Sequence, residues 1–403
     1  MKILHTSDWH LGHTLYNYDR TAEQQSFLRQ LTRIVTEEQP DAMVVSGDIY
    51  HYSSPAAATQ KMYTDAMLNI HQACPGMAIV VTAGNHDSSS KLEIDSSLWQ
   101  HFGLNVVGNI ERTAEEVNLN KHIIEINNEK KTKGYVIAVP HVYPQNFPLL
   151  DTETPRDQRQ ARFFQALLDE VKKRNTAQLP VVLMAHLSIE GSDRSGHDES
   201  IGGIEYVPLS AMGEGYDYLA LGHIHCPQDI KGSHHHARYC GTPLPVSFDE
   251  TYPHSVSIIE LEKGAEPQIS TREIENPIPL VTLPHDPTPF EDALKLLEEY
   301  PEEKPAYLRL NVLTKGYLPP DCNEKASNAA KGKACKYCYI KTTRERQADT
   351  NGNKHISIQE MQEMSPLEIA RLYYRETEGE EMDTELCQLM ETVVQKVKSK
   401  NNS

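Results

Sequence analysis

The chain has 403 residues, 38% hydrophobic and 24% charged, a balance that fits a globular protein of more than one domain. Its net charge of −18 argues against a stand-alone nucleic-acid binder, because phosphate contacts draw on Lys and Arg, and no apolar run approaches the roughly 18 residues of a membrane span. Seven irregularly spaced cysteines, behind an N-terminus that reads as a strand and not as an export signal, point to free thiols in a reducing cytoplasm.

Short apolar runs at 2–6, 42–46, 78–83, 181–185 and 218–221 read as buried strands, each bounded by polar or glycine residues. Between the first two, Phe27, Leu28, Leu31, Ile34 and Val35 share one helical face. This β-α-β rhythm implies an α/β sandwich, which we expect to be a four-layer α/β/β/α arrangement over residues 1–275. Shorter strands are expected at 238–241 and 255–261. Residues 276–289 hold five prolines and read as a crossing linker. A small α+β domain over 276–344 follows, with helices at 290–300 and 321–331 and strands at 306–313 and 336–342. A polar linker at 345–354 leads to two short helices within 345–403. Ser365, with Pro366 and Glu368 behind it, opens the first. The second begins near Asp383 and places Leu386, Leu389, Met390, Val393 and Val397 on one face, to be buried against a partner or against the body of the protein.

Each of the five main strands runs into a loop of similar chemistry: Asp8-Trp9-His10, Gly47-Asp48, Gly84-Asn85-His86-Asp87, His186, and Gly222-His223-Ile224-His225. Open α/β folds bind ligands at the carboxyl ends of their strands, so five such loops describe one site. Carboxylates, imidazoles and an amide oxygen suit Mn²⁺, Fe²⁺ or Zn²⁺, and the lack of thiolates disfavours a structural zinc site. A bimetal phosphoesterase needs an anion shared by both ions, and Asp48 is the natural bridge. His86 is the candidate to protonate or hydrogen-bond a leaving oxygen. Gly47, Gly84 and Gly222 let the backbone leave the strands sharply.

Asp-x-His, Gly-Asp, Gly-Asn-His-Asp, a lone His and Gly-His-x-His in this order resemble the calcineurin-like metallophosphoesterase superfamily. The longer stretches MKILHTSDWHLG, GDIYHYSSP, AGNHDSSSKL, LALGHIHCPQ and RYCGTPLPVSFDE are similar to the bacterial DNA-repair nucleases within it. The resemblance implies that Asp8, His10, Asp48 and His225 hold one ion, that Asp48, Asn85, His186 and His223 hold the other, and that Mn²⁺ is the metal. It implies that His86 is catalytic and that the small domain caps the site. It further implies a double-strand exonuclease and single-strand endonuclease, paired as a homodimer through helices near 56–73 and 92–102. The C-terminal helices would bind a coiled-coil ATPase, giving a heterotetramer. Many bacterial members carry GDxxD where this chain has Gly47-Asp48-Ile49-Tyr50-His51, so His51 takes the transition-state role that other relatives give a histidine there.

Other features are read as structural. His13 is taken as a loop residue, Trp9 as core, His234-His235-His236 as a turn, and Glu376–381 as a solvated loop. Cys335 and Cys338 have the spacing of half a zinc site, but no second pair accompanies them. A small-molecule phosphodiesterase or phosphatase with the same bimetal core is the competing function. The GDxVDRG and GNHE patterns of protein phosphatases are absent, and a small substrate would need neither the extra domain nor the helical tail. A scaffold without catalysis is the other alternative, disfavoured because every expected ligand is a competent donor.

Overall fold

Two six-stranded sheets lie face to face because their strands alternate apolar side chains to both faces. The computed structural model describes residues 1–112, 117–128, 131–151, 153–196 and 206–344, with scattered residues between 365 and 390. In chain order the strands are β1 (Lys2–Thr6), β2 (Ala42–Ser46), β3 (Ala78–Thr82), β4 (Leu104–Val107), β5 (Ile123–Asn128), β6 (Lys131–Ala138), β7 (Val181–His186), β8 (Ser188–Ile189) and β9 (Tyr206–Val207). They continue with β10 (Tyr218–Gly222), β11 (Gln228–Asp229), β12 (Ala237–Tyr239), β13 (Ser255–Glu260), β14 (Gln268–Glu273), β15 (Leu280–Thr288), β16 (Tyr307–Thr314) and β17 (Lys336–Arg344). The first sheet has the order β14-β13-β1-β2-β3-β4 and the second β11-β12-β10-β7-β6-β5.

Along β2, Val44 points between the sheets to meet Val136, Val182 and Ala220, while Met43 and Val45 point outward. The outward residues pack under α1 (Thr21–Glu38) and α2 (Ala57–Ala73) through Phe27, Leu31 and Met67. After α3 (Ser89–Leu92) and α4 (Ser96–Gln100), α5 (Arg159–Arg174) covers the outer face of the second sheet through Phe163, Phe164 and Leu167. The result is the expected four-layer α/β/β/α sandwich. Strands β1 to β4 are parallel, as are β6, β7, β10 and β12, so the carboxyl ends of each set line up.

Two expectations fail for identifiable reasons. The proline-rich stretch at 276–289 is not a plain linker, since β15 occupies most of it. That strand lies at the edge of a three-stranded parallel sheet, β15-β16-β17. An edge strand tolerates missing donors, and the register shifts between Leu283 and Thr288, where Pro284 and Pro287 fall. The segment 92–102 is not one helix either. The Glu93 carboxylate turns away to accept hydrogen bonds from Gly108 N (2.6 Å) and Asn109 N (3.0 Å), and the chain breaks between α3 and α4.

One face of the small sheet is covered by α6 (Phe290–Glu298) and α7 (Cys322–Ala330). Cys322 and Cys335 are buried in that core, and Cys338 faces the opposite side, so the pair at 335 and 338 cannot close on one ion. The other face, with Tyr307 and Tyr339, packs against Leu15, Tyr18 and Phe248 beside the strand-end loops. Tyr307 Oη donates to Glu23 Oε1 (2.7 Å). Buried Arg309 donates to Asp249 (2.8 Å) and lies over the Phe248 ring (5.3 Å).

Residues 345–403 form a separate unit. There, Ser365 and Glu368 make the reciprocal capping hydrogen bonds expected of a helix start, and Leu386 N donates to Asp383. Leu386 and Leu389 are exposed, and Met390 is half-buried. The linker at 345–354, the acidic run at 376–381 and Val393 and Val397 lie outside the described residues. No described helix is long and apolar enough to cross a membrane.

Candidate metal centre

The loops that leave β1, β2, β3, β7 and β10 fold into one another. Asp8 N donates to Gly47 O and His10 N to Asp48 O, which pins the first loop to the second. Asp8, His10, Asp48 and His223 have φ of 53°, 45°, 52° and 100°, a region non-glycine residues avoid. Such strain persists only where the surroundings over-determine it, and it falls here on four of the seven expected ligands. Gly47 has φ 85°, and a Cβ there would meet the His186 ring at 2.2 Å. At Gly84 the constraint is close approach alone, since a Cβ would stand 2.1 Å from Asp48 Oδ1.

All seven expected ligands come together with their donor atoms converging. Asn85 Oδ1 lies 2.9 Å from His186 Nε2 and 3.0 Å from His223 Nδ1. Asp48 Oδ2 lies 3.4 Å from His186 Nε2 and 3.9 Å from His10 Nε2, which puts this carboxylate between two groups of donors. His10 Nε2 and His225 Nε2 are 3.3 Å apart. Asp8, His10 and His225 form one cluster of possible ligands, and Asp8, Asp48 and His186 a second. His186 Nδ1 lies 2.8 Å from the Ser46 carbonyl and His225 Nδ1 3.0 Å from Glu250, so each Nδ1 donates outward and each Nε2 faces the centre.

The electrostatics describe a site that calls for cations. Burial opposes the charge on Asp48, but His186, His10 and His86 outweigh it and hold its carboxyl well below the usual range. Burial likewise opposes charge on His186, yet Asp48 and then Asp8 lift it to about 9. His225 is raised in the same contest, by Glu250. Burial raises Asp8. Buried carboxylates that draw protons onto adjacent imidazoles make the same demand that divalent ions would satisfy. The oxygen and nitrogen donor set therefore fits such ions, and Cys240, whose Sγ contacts Ser7 Oγ, stands outside the ligand clusters.

His86 and His51 stand at the mouth. His86 N donates to Asp48 Oδ1 (2.9 Å), and its Nδ1 lies 2.9 Å from the His51 carbonyl, leaving Nε2 toward the cleft. The two rings are nearly parallel, 5.3 Å apart. Burial lowers the His51 pKa to about 4, with His86 adding to the effect. His10, His51 and His86 also offer ring nitrogens within 4.8 Å of one another. A cleft of about 400 Å³ opens over these residues. His13, read from sequence as a simple loop residue, lines that cleft with its ring 4.6 Å from His51. Trp9 packs on Phe27 and donates to Thr6, as expected of a core residue.

Two residues that the sequence reading gave no role hold the site together. Asp87 accepts hydrogen bonds from Ile49 N, Tyr50 N and Gly84 N (3.1, 2.9 and 2.9 Å), tying the second and third loops into one body. Glu250 accepts from His225 Nδ1 and from Thr242 Oγ1 (both 3.0 Å), as an outer carboxylate would to orient an imidazole that binds metal. Glu250→Gln is expected to weaken divalent-metal affinity about 10- to 100-fold with the fold intact, read by metal titration.

A family model described as calcineurin-like phosphoesterase matches residues 1–227, and one described as type 5 capsule protein repressor C-terminal domain matches residues 276–378. The chain belongs to the calcineurin-like phosphoesterases, hydrolases whose fold implies divalent metal ions. Within them its relatives are SbcD proteins, the nuclease components of SbcCD. It is 33% identical to the SbcD nuclease of Rhodobacter capsulatus over 74% of this chain and 75% of that one. The SbcD nucleases of Escherichia coli K12 (27%; 95% and 94% covered) and Bacillus subtilis 168 (31%; 66% and 68%) are similar too.

Proposed function

We propose that this chain is the nuclease component of an SbcCD-type DNA repair complex and hydrolyses DNA phosphodiesters. The observation that carries this is the convergence of seven nitrogen and oxygen donors at five strand ends, in an open cleft beside a second module. Asp8, His10, Asp48 and His225 would hold one ion and Asp48, Asn85, His186 and His223 the other. Two divalent ions there, Mn²⁺ in our reading, would polarise the phosphoryl group and activate water near neutral pH. His86 turns Nε2 to the cleft, where it can donate a proton to the leaving oxygen, and His51 stacks beside it to steady the developing charge. Residues 1–275 are the catalytic domain, 276–344 a cap, and 345–403 the docking segment.

The exposed Leu386 and Leu389 support docking onto an SbcC-type ATPase, whose basic surface would offset the −18 charge. Exposed Ile94, just before α4, and exposed Leu98 within it support a homodimer, and hence a cytoplasmic heterotetramer. The test is incubation of the purified chain with Mn²⁺ and end-labelled duplex and single-stranded DNA. Cleavage abolished by a chelator is expected, with weak, salt-sensitive DNA binding by the chain alone. Turnover of small phosphate esters with DNA left intact, even beside an SbcC-type ATPase, would overturn the reading.

A further inference from the structure

A protein of net charge −18 has little electrostatic grip on a phosphate backbone, and no Lys or Arg is among the described residues that line this cleft. Arg309 and Lys341 both bind Asp249. Aromatic rings are what the rim does offer. Five tyrosines are exposed among the described residues, and three of them border the site. Tyr16 lines the catalytic cleft, 47% exposed, stacked on Tyr339 of the small sheet at 4.6 Å and 20°. Tyr52 is 54% exposed and stands at 75° to His51, ring centres 4.6 Å apart. Tyr143 is 50% exposed and stands at 81° to His141, at 5.0 Å. Tyr143 lines a second cleft, of about 370 Å³, that also contains Arg112 and shares Asn85 with the catalytic cleft. Each ring is fixed by an aromatic neighbour, yet about half of it faces solvent at the edge of the metal centre. Rings held in that way lose little freedom when a base stacks on them, and stacking on an aromatic side chain accepts any base.

We propose that Tyr16, Tyr52 and Tyr143 are stacking platforms that hold unpaired nucleotides on either side of the scissile phosphate, whether from a single strand or from the frayed end of a duplex. The inference rests on the nuclease reading above and adds to it the state of the strand and the residues that position it. Stacking requires the bases to be out of a duplex, and its contribution does not depend on counterion release.

The test uses the full chain with Mn²⁺, a single-stranded oligonucleotide, and bis(p-nitrophenyl) phosphate as a diester with no bases. Changing Tyr16, Tyr52 or Tyr143 to Ala should lower kcat/KM for the oligonucleotide about tenfold relative to the small diester, mostly through KM. Changing each to Phe should restore the value, and the loss should be the same at low and high salt. An equal fall on both substrates, Phe variants as impaired as Ala, or a loss that vanishes with added salt would overturn the proposal while leaving the nuclease reading standing. Failure of the unmodified chain to cut the oligonucleotide while it turns over the small diester would overturn both.

Discussion

His86→Gln is expected to keep its metals and lose most cleavage. His86 Nδ1 is held at 2.9 Å from the His51 carbonyl, so Nδ1 keeps its proton and the imidazolium form presents a donating Nε2–H to the cleft. Its backbone N–H anchors Asp48, and that contact survives any side-chain change. Gln fills similar space and can accept or donate a hydrogen bond, but it cannot deliver a proton to a departing oxygen. General acid help of this kind contributes about 10²- to 10⁴-fold, and kcat should fall by that amount. Metal content per chain, measured by plasma mass spectrometry, should match the unmodified protein. Loss of metal from the variant would instead make His86 a ligand, a role the cluster of His10, His51 and His86 could serve.

Asp48→Ala should be more severe, because one carboxylate serves both halves of the donor set. Its Oδ2 reaches toward His186 and His10, residues assigned to different ions, and its Oδ1 receives the His86 N–H. Without it Asp8 is the one carboxylate left in the donor set, too little to offset the repulsion of two divalent ions that would sit ~3.5–4 Å apart, and neither site should fill at ordinary concentrations. Cleavage should fall by at least about 10³-fold, the equivalent of several kcal/mol of transition-state stabilisation. Thermal unfolding separates this from misfolding. Mn²⁺ should raise the Tm of the unmodified chain, because it binds the native state, and should leave the Tm of the variant unchanged. A variant that still gains stability from Mn²⁺ and still cuts DNA would remove Asp48 from the bridging position.

The strand ends were readable because they obey two local rules at once. Runs such as 2–6 and 42–46 are apolar on both faces, as strands between two layers must be, and each stops at a loop of metal-type donors. What the sequence withheld depends on distance along the chain. Glu250 lies 25 residues beyond His225 and follows no periodicity, so only its presence in a familiar-looking stretch hinted at a role. Asp87 stands within a donor-rich motif and looks like a ligand candidate, but backbone N–H groups from two loops claim both its oxygens. Burial raises its pKa to about 6, and those N–H groups work against the rise. The strand β15 was hidden by its prolines, which an edge position permits. The seating of the small sheet beside the cleft rests on pairs such as Tyr307 and Glu23, separated by 284 positions, and no local pattern announces them.

Anomalous scattering from crystals grown with Mn²⁺ tests most directly whether the five loops build one two-metal centre around Asp48. Two peaks are expected about 3.5–4 Å apart with Asp48 between them, one beside Asp8, His10 and His225 and the other beside Asn85, His186 and His223. A single peak, or a pair that leaves Asp48 outside the first coordination sphere, would contradict that arrangement.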